Sequence, residues 1–201
     1  MIKTIIFDLG GVLIDWNPQY VYKNYFETQE SLDFFFKNVC TFDWNEKQDA
    51  GRKIVDANTE LIKKFPEYKT EILVFYGRWE EMLGGPIAES VKILQKLKDN
   101  NQNRLIALTN WSAETWPVAL RNYDFLNHFE GILVSGKEGI KKPNPAIYEL
   151  ILTRYGLIAE ECLFIDDNLR NIEAAKKMGI SGIRFKNPDQ LFSELNELGI
   201  L

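Results

Sequence analysis

Five short apolar runs recur along the chain, and longer amphipathic segments lie between and after them. Each run is continuous rather than alternating, which is typical of parallel strands that are covered on both faces. The runs occupy residues 5–7, 105–108, 132–134, 163–165 and 182–185, and helical patterns occupy 86–100, 145–155, 168–178 and 189–198. This order predicts an α/β fold with a doubly wound, Rossmann-like parallel sheet flanked by helices.

One long stretch, residues 17–85, breaks this alternation. Its apolar residues follow helical spacing, we find no convincing strand pattern in it, and aromatic residues are dense. An all-helical block inserted after the first strand is expected to cover the carboxyl ends of the strands, where ligands bind in open α/β sheets. We therefore predict a Rossmann-like core made of residues 1–16 and 86–201, and a helical cap made of residues 17–85.

Charge and hydropathy exclude several classes of function. The formal net charge is −5 and no run of Lys or Arg occurs, so the chain offers no binding surface for nucleic acid or an anionic membrane. No stretch approaches the ~18 apolar residues of a transmembrane helix. Asp8 arrives too early for the apolar part of a signal peptide. We expect a cytoplasmic protein.

The cysteine and histidine content is too low for several kinds of site. Cys40 and Cys162 lie far apart in sequence, and His128 is the only histidine. A disulfide framework or a zinc site needs more ligands than these. We interpret all three residues as structural.

Polar and charged side chains follow four of the predicted strands. They are Asp8, then Thr109 and Asn110, then Lys142, and finally Asp166 and Asp167. The carboxyl ends of parallel strands meet at one rim of a sheet, so we expect these side chains to converge. Each one alone has an ordinary explanation as a turn, loop or helix-capping residue. Their ordered combination is much harder to attribute to chance.

The expected combination suits phosphoryl transfer to a side chain. A carboxylate can attack phosphorus and form an acyl phosphate that water then hydrolyses. Mg²⁺ takes oxygen ligands and would neutralise the repulsion between the carboxylate and the phosphate. A lysine and a hydroxyl can bind the remaining phosphate oxygens. Gly10 and Gly11 would let the backbone approach the phosphate closely.

Four motifs, in this order, resemble those of the haloacid dehalogenase (HAD) superfamily. They are Phe7–Leu13 (FDLGGVL), Leu108–Asn110 (LTN), Lys142–Tyr148 (KPNPAIY) and Phe164–Ala175, which begins FIDDN. The resemblance spans Ile2 to about Phe185. It extends to the helical-capped phosphatase branch, which includes glucose 1-phosphate phosphatases and the phosphatase domain of soluble epoxide hydrolase.

The resemblance implies a role for each residue of the set. Asp8 and Lys142 would be catalytic, with Asp8 as the nucleophile that becomes phosphorylated. Asp8, the carbonyl of Gly10 and Asp167 would hold Mg²⁺, and Asp166 would support the metal from beside it. The phosphate would be held by Gly10, Thr109, Asn110 and Lys142. The implied protein is a Mg²⁺-dependent phosphatase for a small phosphorylated metabolite such as a sugar phosphate, acting as a monomer or homodimer.

Gly10 departs from the usual pattern. Most phosphatases of this family carry an Asp two positions after the nucleophile, where it protonates the leaving oxygen and later activates water. Such a group contributes ~10²–10⁴-fold in rate. Its absence predicts slow turnover or substrates with good leaving groups. Asp15 is one alternative acid, although an Asp before Trp16 is more typical of a residue that pins the hinge of a cap.

Two alternatives to a phosphatase stay open at this point. A metal-independent dehalogenase would use the same nucleophile on carbon, but such enzymes typically have serines where Asp166 and Asp167 stand. A weakly active phospho-ligand binding protein would explain Gly10, but binding alone does not need Asp8.

Substrate choice is expected to lie in the cap. The segment 42–45 (FDWN) suits a sugar, yet we slightly favour the interpretation that it simply begins a helix with Asp43 near the cap position. The tryptophans Trp16, Trp111 and Trp116 stand next to motif positions and would line the entrance to the site or pack in the core.

Overall fold

Five strands form one parallel sheet, and the remaining two form a short antiparallel ribbon. The structure is a computed structural model that describes residues 1–201. The strands are β1 (Thr4–Phe7), β2 (Ile14–Trp16), β3 (Leu83–Pro86), β4 (Arg104–Thr109), β5 (Gly131–Val134), β6 (Cys162–Asp166) and β7 (Ser181–Arg184).

Eleven α-helices accompany these strands, five of them between β2 and β3. They are α1 (Gln19–Tyr22), α2 (Gln29–Phe34), α3 (Phe42–Asp49), α4 (Ile54–Lys64), α5 (Lys69–Gly77), α6 (Ala88–Asn100), α7 (Trp116–Asn122), α8 (Ser135–Glu138), α9 (Pro145–Tyr155), α10 (Leu169–Lys177) and α11 (Pro188–Glu197). A π-helical turn, Phe35–Val39, and several short 3₁₀ turns complete the chain.

The parallel sheet has the order β5-β4-β1-β6-β7, with β1 at its centre. Phe7, the last residue of β1, is in register with Ala107 of β4 and Ile165 of β6. The carboxyl ends of these three strands therefore lie side by side. The predicted strands and the predicted α/β class are both confirmed, with boundaries shifted by one or two residues.

The sheet is buried on both faces, as continuous apolar strands require. Ile5 and Phe7 of β1 pack into an interior that also contains Trp44 and Phe75 of the cap. Ile6 points the other way and packs against Tyr148 and other side chains of α9 and α10. Because one apolar cluster includes residues of both regions, the cap is docked on the core rather than held away from it.

Asparagines start the helices that follow the rim. Asn144 caps α9 and Asn168 caps α10, each with a side-chain oxygen that accepts a backbone N–H two residues later. Such caps satisfy amide groups that have no partner within the helix. Since Asn168 does this work for α10, neither Asp166 nor Asp167 is needed as its N-cap.

The β2–β3 ribbon was not predicted, and the expectation of no strand within residues 17–85 was wrong at its last positions. The chain enters the cap after β2 and leaves it along β3, and the two strands pair in antiparallel fashion. Their sequences are Ile-Asp-Trp and Leu-Gly-Gly-Pro, too short and too rich in Gly and Pro to indicate strands. Glycine is needed at Gly84, because a Cβ there would lie 2.1 Å from a carboxylate oxygen of Asp15.

The two cysteines and the histidine have structural surroundings. Cys40 and Cys162 are free and buried, as interpreted from the sequence. His128 ends a 3₁₀ turn and is half-buried. None of the helices has the length and apolar character needed to cross a membrane.

Candidate active site

A fully buried lysine stands at the centre of the rim. Lys142 lies in the loop before α9, and its Nζ is 2.9 Å from Asp8 Oδ2 and 2.7 Å from Asp166 Oδ2. It also donates to the carbonyl of Leu108, 3.0 Å away. Burial favours the neutral amine, but the Asp166 and Asp8 carboxylates outweigh this and raise the pKa of Lys142. The lysine is therefore a fixed positive charge at the end of β1.

Asp8 follows β1 directly and is held in one orientation. Its backbone N–H donates to the carbonyl of Ile165, and its Oδ1 accepts the N–H of Leu9 at 2.7 Å. Burial raises the pKa of Asp8 well above its ordinary value, and Asp166 and Asp167 add to this while Lys142 opposes it. A nearby positive charge is needed to keep this carboxylate ionised.

Three carboxylates form a cluster that suits a divalent cation. Asp8, Asp166 and Asp167 each offer an oxygen, and these oxygens lie within 4.8 Å of one another. Partial desolvation raises the pKa of Asp167, and the neighbouring Asp166 raises it further. One lysine cannot neutralise three carboxylates. An all-oxygen set with this excess of negative charge fits Mg²⁺.

Asp166 has the most satisfied carboxylate of the three. It accepts the N–H of Asn168 at 2.8 Å and both of its oxygens accept from the Asn171 amide at 3.0 Å, in addition to the contact with Lys142. It is fully buried, whereas Asp167 lies at the exposed edge of the cluster. This arrangement favours the role beside the metal, and direct ligation by Asp166 stays a prediction.

The glycines after Asp8 bring the backbone close to this cluster. Gly11 has a φ of +74°, and a Cβ there would lie 2.7 Å from Asp167 Oδ2. Any side chain at this position would displace the carboxylate. Gly10 differs, because a Cβ there would meet no atom within 4 Å. The space that an acidic side chain would need at residue 10 is open.

Thr109 and Asn110 lie at the end of β4, beside Lys142. The amide of Asn110 donates to the Lys142 carbonyl at 3.0 Å and accepts its N–H at 2.9 Å. The side chain therefore positions the lysine loop, and it also lines the cavity. The buried Thr109 hydroxyl has no hydrogen-bond partner. A phosphate-binding role for both residues stays a prediction.

A cavity of about 200 Å³ separates this rim from the cap. Asp8, Gly10, Gly11 and Asp167 form part of its floor. The cap and the ribbon contribute Trp16, Phe42, Asn45, Glu46, Asp49 and Trp79. The cavity therefore has aromatic side chains from the cap and the ribbon, and carboxylates from both the core and the cap.

The segment 42–45 both begins a helix and lines the cavity. Thr41, rather than Asp43, caps α3, since its hydroxyl accepts the N–H of Trp44 at 3.1 Å. Trp44 is buried in the core, whereas Phe42 and Asn45 line the cavity. The helix-start interpretation and the substrate-contact interpretation therefore each hold for part of this segment.

The tryptophans next to the motifs divide in a similar way. Trp16 and Trp111 line the cavity, whereas Trp116 does not and packs edge-on against Trp111 at a ring distance of 5.7 Å. Asp15 does not line the cavity, and its carboxylate accepts the hydroxyl of Tyr20 at 2.6 Å. Asp15 is thus a residue of the ribbon and not a substitute acid.

Sequence reasoning missed two acidic residues of the cap, Glu46 and Asp49. Glu46 accepts from Lys141 and Arg170 of the core, both at 2.6 Å. Burial opposes ionisation of Glu46, but these two hydrogen-bonded cations lower its pKa. The pair Glu46–Arg170 joins residues 124 positions apart, so nothing local could reveal it.

Asp49 has the opposite environment. It is 9% exposed, and burial raises its pKa from 3.8 to about 7, with Glu46 adding to the rise. Lys141, the backbone N–H of Ser112 and Lys142 act in the other direction. The only sequence signal was the spacing of the two acids, which places them on one face of a helix.

The fold and the rim define a class of protein, and comparisons with known proteins agree. The family model for haloacid dehalogenase-like hydrolases matches residues 2–179. The chain belongs to this family of hydrolases, which confirms the resemblance seen in the four motifs.

Relatives of this chain include two phosphatases. A sesquiterpene phosphatase of Aspergillus oryzae is 28% identical over 98% of this chain and 96% of its own length. A glyceraldehyde 3-phosphate phosphatase of Pyrococcus abyssi is 24% identical over 92% of this chain and 82% of its own length. Among solved structures, a variant of a HAD family enzyme from Bacteroides thetaiotaomicron, in complex with magnesium and inorganic phosphate, superimposes with a TM-score of 0.73. It is 20% identical, and the match covers 93% of this chain and 95% of that one.

Proposed function

We propose that this hydrolase is a Mg²⁺-dependent phosphatase that cleaves a small phosphate monoester through a phosphorylated Asp8. The observation that carries the proposal is the buried Asp8–Lys142–Asp166 network, with Asp167 beside it, at the floor of a cavity between core and cap. A pure binding site would not need an oriented carboxylate at its floor. The phosphatase relatives support the same activity.

Asp8 is suited to be the nucleophile. The bonds from Leu9 and Lys142 fix the direction of its carboxylate before any substrate arrives. Holding a nucleophile in its reactive orientation removes an entropic part of the barrier. Attack by an Asp8 oxygen on phosphorus would form the acyl phosphate and break the bond to the leaving oxygen.

Asp8, Asp167 and the carbonyl of Gly10 would hold Mg²⁺, with Asp166 beside them. When bound, the ion supplies positive charge where the nucleophile and the phosphate, both anionic, must approach each other. The chain itself contributes Lys142, whose position Asn110 and Asp166 determine. The unpaired hydroxyl of Thr109 would gain a phosphate oxygen as its acceptor, which would remove the cost of burying it alone.

A sugar phosphate or a metabolite of similar size fits the cavity best. Its volume of about 200 Å³ and its mixed aromatic and polar lining suit a small, hydroxylated leaving group. A metal-independent dehalogenase is disfavoured, because Asp8, Asp166 and Asp167 would then share one rim with Lys142 as their only cation.

The test is phosphate release from sugar phosphates, p-nitrophenyl phosphate and acetyl phosphate, measured with Mg²⁺ and with EDTA. We expect Mg²⁺-dependent release that Asp8→Asn abolishes. The matched control is Asp189→Asn, the same change on an exposed residue of α11, which should retain wild-type rates. Release by Asp8→Asn at the wild-type rate would refute the mechanism.

A further inference from the structure

We propose that Asp49 of the cap is the general acid and base that residue 10 does not provide. The inference rests on the proposed phosphatase function. The proton for the leaving group then comes from a cap residue above the rim, and not from the loop that carries the nucleophile.

Asp49 lies in the position that this role requires. It is the last residue of α3 and lines the same cavity as Asp8 and Gly10. Its backbone carbonyl accepts the hydroxyl of Ser135 in the core, and Ser135 in turn accepts the N–H of Trp111 at 3.0 Å. These bonds anchor the end of the cap helix to the core, so the backbone of Asp49 has a defined position beside the cavity.

The close packing of Gly51 against the core holds the same segment. A Cβ at Gly51 would lie 3.2 Å from the Cα of Gly139, so the two backbones touch almost directly. The cap segment at Gly51, two residues after Asp49, therefore cannot move away from the core without breaking this contact. A proton donor that works on a substrate in the cavity needs this kind of fixed support.

The environment of the Asp49 carboxyl group favours its protonated form. It is buried, it stands at the C-terminal end of a helix, where negative charge is disfavoured, and Glu46 lies one turn before it. Lys141 and Lys142 from the core favour the ionised form. The balance raises the pKa of Asp49 to about 7, which suits a group that must both give and accept a proton near neutral pH.

Other carboxyl groups near the cavity are committed elsewhere. Glu46 is ion-paired with Lys141 and Arg170. Asp8, Asp166 and Asp167 form the metal cluster. Asp49 makes no ion pair, and the backbone N–H of Ser112 donates to its carboxyl group. It also faces Tyr76 of α5, whose pKa burial raises far above neutral and which therefore stays uncharged.

The proton balance of the two half-reactions is then complete. As an Asp8 oxygen bonds to phosphorus, the bond to the leaving oxygen breaks and that oxygen takes the proton of the Asp49 carboxyl. The Asp49 carboxylate next takes a proton from water as the water oxygen bonds to phosphorus. The bond between phosphorus and the Asp8 oxygen breaks, which releases phosphate and restores protonated Asp49.

The test uses two substrates that differ in their need for an acid. Glycerol 3-phosphate has a poor leaving group, whereas the p-nitrophenolate of p-nitrophenyl phosphate leaves without a proton. We expect Asp49→Asn to lower kcat/KM, which reports only the steps up to release of the leaving group, by ~10²–10⁴-fold on glycerol 3-phosphate and by less than ~10-fold on p-nitrophenyl phosphate. Asp43→Asn is the matched control, because Asp43 is exposed on the same helix.

Two further measurements exclude a merely structural effect. In the wild type, kcat/KM on glycerol 3-phosphate should fall as pH rises above about 7, and this fall should be absent in Asp49→Asn. Gly10→Asp added to Asp49→Asn should restore activity on glycerol 3-phosphate, because residue 10 has free space for the usual acid.

The outcomes separate this inference from the function on which it rests. If Asp49→Asn matches the wild type on glycerol 3-phosphate, or if its kcat/KM falls by the same factor on both substrates, the role of Asp49 is refuted and the phosphatase stands. If the wild type releases no phosphate in a Mg²⁺-dependent, Asp8-dependent manner, the proposed function fails and the inference fails with it.

Discussion

The carboxylates at the sheet rim and those at the end of α3 are held in opposite ways. At the rim, Asp8 and Asp166 share one buried lysine and accept bonds from their own neighbours in sequence. In the cap, Glu46 and Asp49 face the same cavity, and their hydrogen bonds and ion pairs to Lys141, Arg170 and Ser135 come from the distant core.

This difference explains why two acids one turn apart behave so differently. Glu46 bonds to two cations and its pKa is lowered, whereas Asp49 forms no ion pair and burial outweighs the attraction of Lys141 and Lys142, so its pKa rises to about 7. The rim is organised by the fold of the core alone. The chemistry of the cap exists only while the cap is docked, so docking and proton transfer are coupled.

Removing the shared lysine should have the largest effect. Lys142→Gln leaves Asp8 and Asp166 buried without a cation, and breaking such a network costs about 3–5 kcal/mol. We expect that loss in the free energy of unfolding from urea titrations, together with loss of phosphate release. A variant as stable as the wild type would show that the rim does not depend on this charge.

Removing the charge of Asp49 should make the protein more stable at neutral pH. A carboxyl whose pKa is 3.8 when unfolded and about 7 when folded destabilises the native state increasingly as pH rises from about 4 to 7. Asp49→Asn should therefore gain up to about 4 kcal/mol at pH 8 and almost nothing at pH 4. Asp43→Asn should show no such dependence, and an equal response of the two variants would contradict the raised pKa.

The smallest effect is expected from the neighbouring lysine. Lys141→Gln removes one of two cations from Glu46, and both groups remain partly in contact with solvent. The loss should be about 1 kcal/mol or less. Because Lys141 and Lys142 are adjacent, the contrast between their Gln variants measures directly how differently the rim and the cap use charge.

The rim could be predicted from the sequence because most of its residues stand directly at the ends of recognisable strands. Continuous apolar strands end at Asp8, Thr109 and Asp166, and parallel strands bring such ends together. Lys142 followed from the resemblance of its motif. That Asn110 positions the Lys142 loop could be seen only from the tertiary contact between the two residues.

The cap could be predicted as helical, but the roles of Glu46 and Asp49 in it could not. Which face of α3 meets the cavity depends on where the helix docks, and Ser135 lies 86 positions from Asp49. The β2–β3 ribbon was missed for a different reason, since Gly84, Gly85 and Pro86 are unfavourable in strands. Gly84 packs closely against Asp15, a contact that the sequence alone does not show.

The ribbon has a consequence for how such a protein can change over time. Because β2 and β3 pair side by side, the whole helical region is topologically the loop of a single β-hairpin. The entropy of closing a loop grows only slowly with its length, so a loop at this point can expand into a folded unit or contract to a tight turn. Either event leaves the order and register of the parallel sheet untouched, so different specificities can be installed on the same rim.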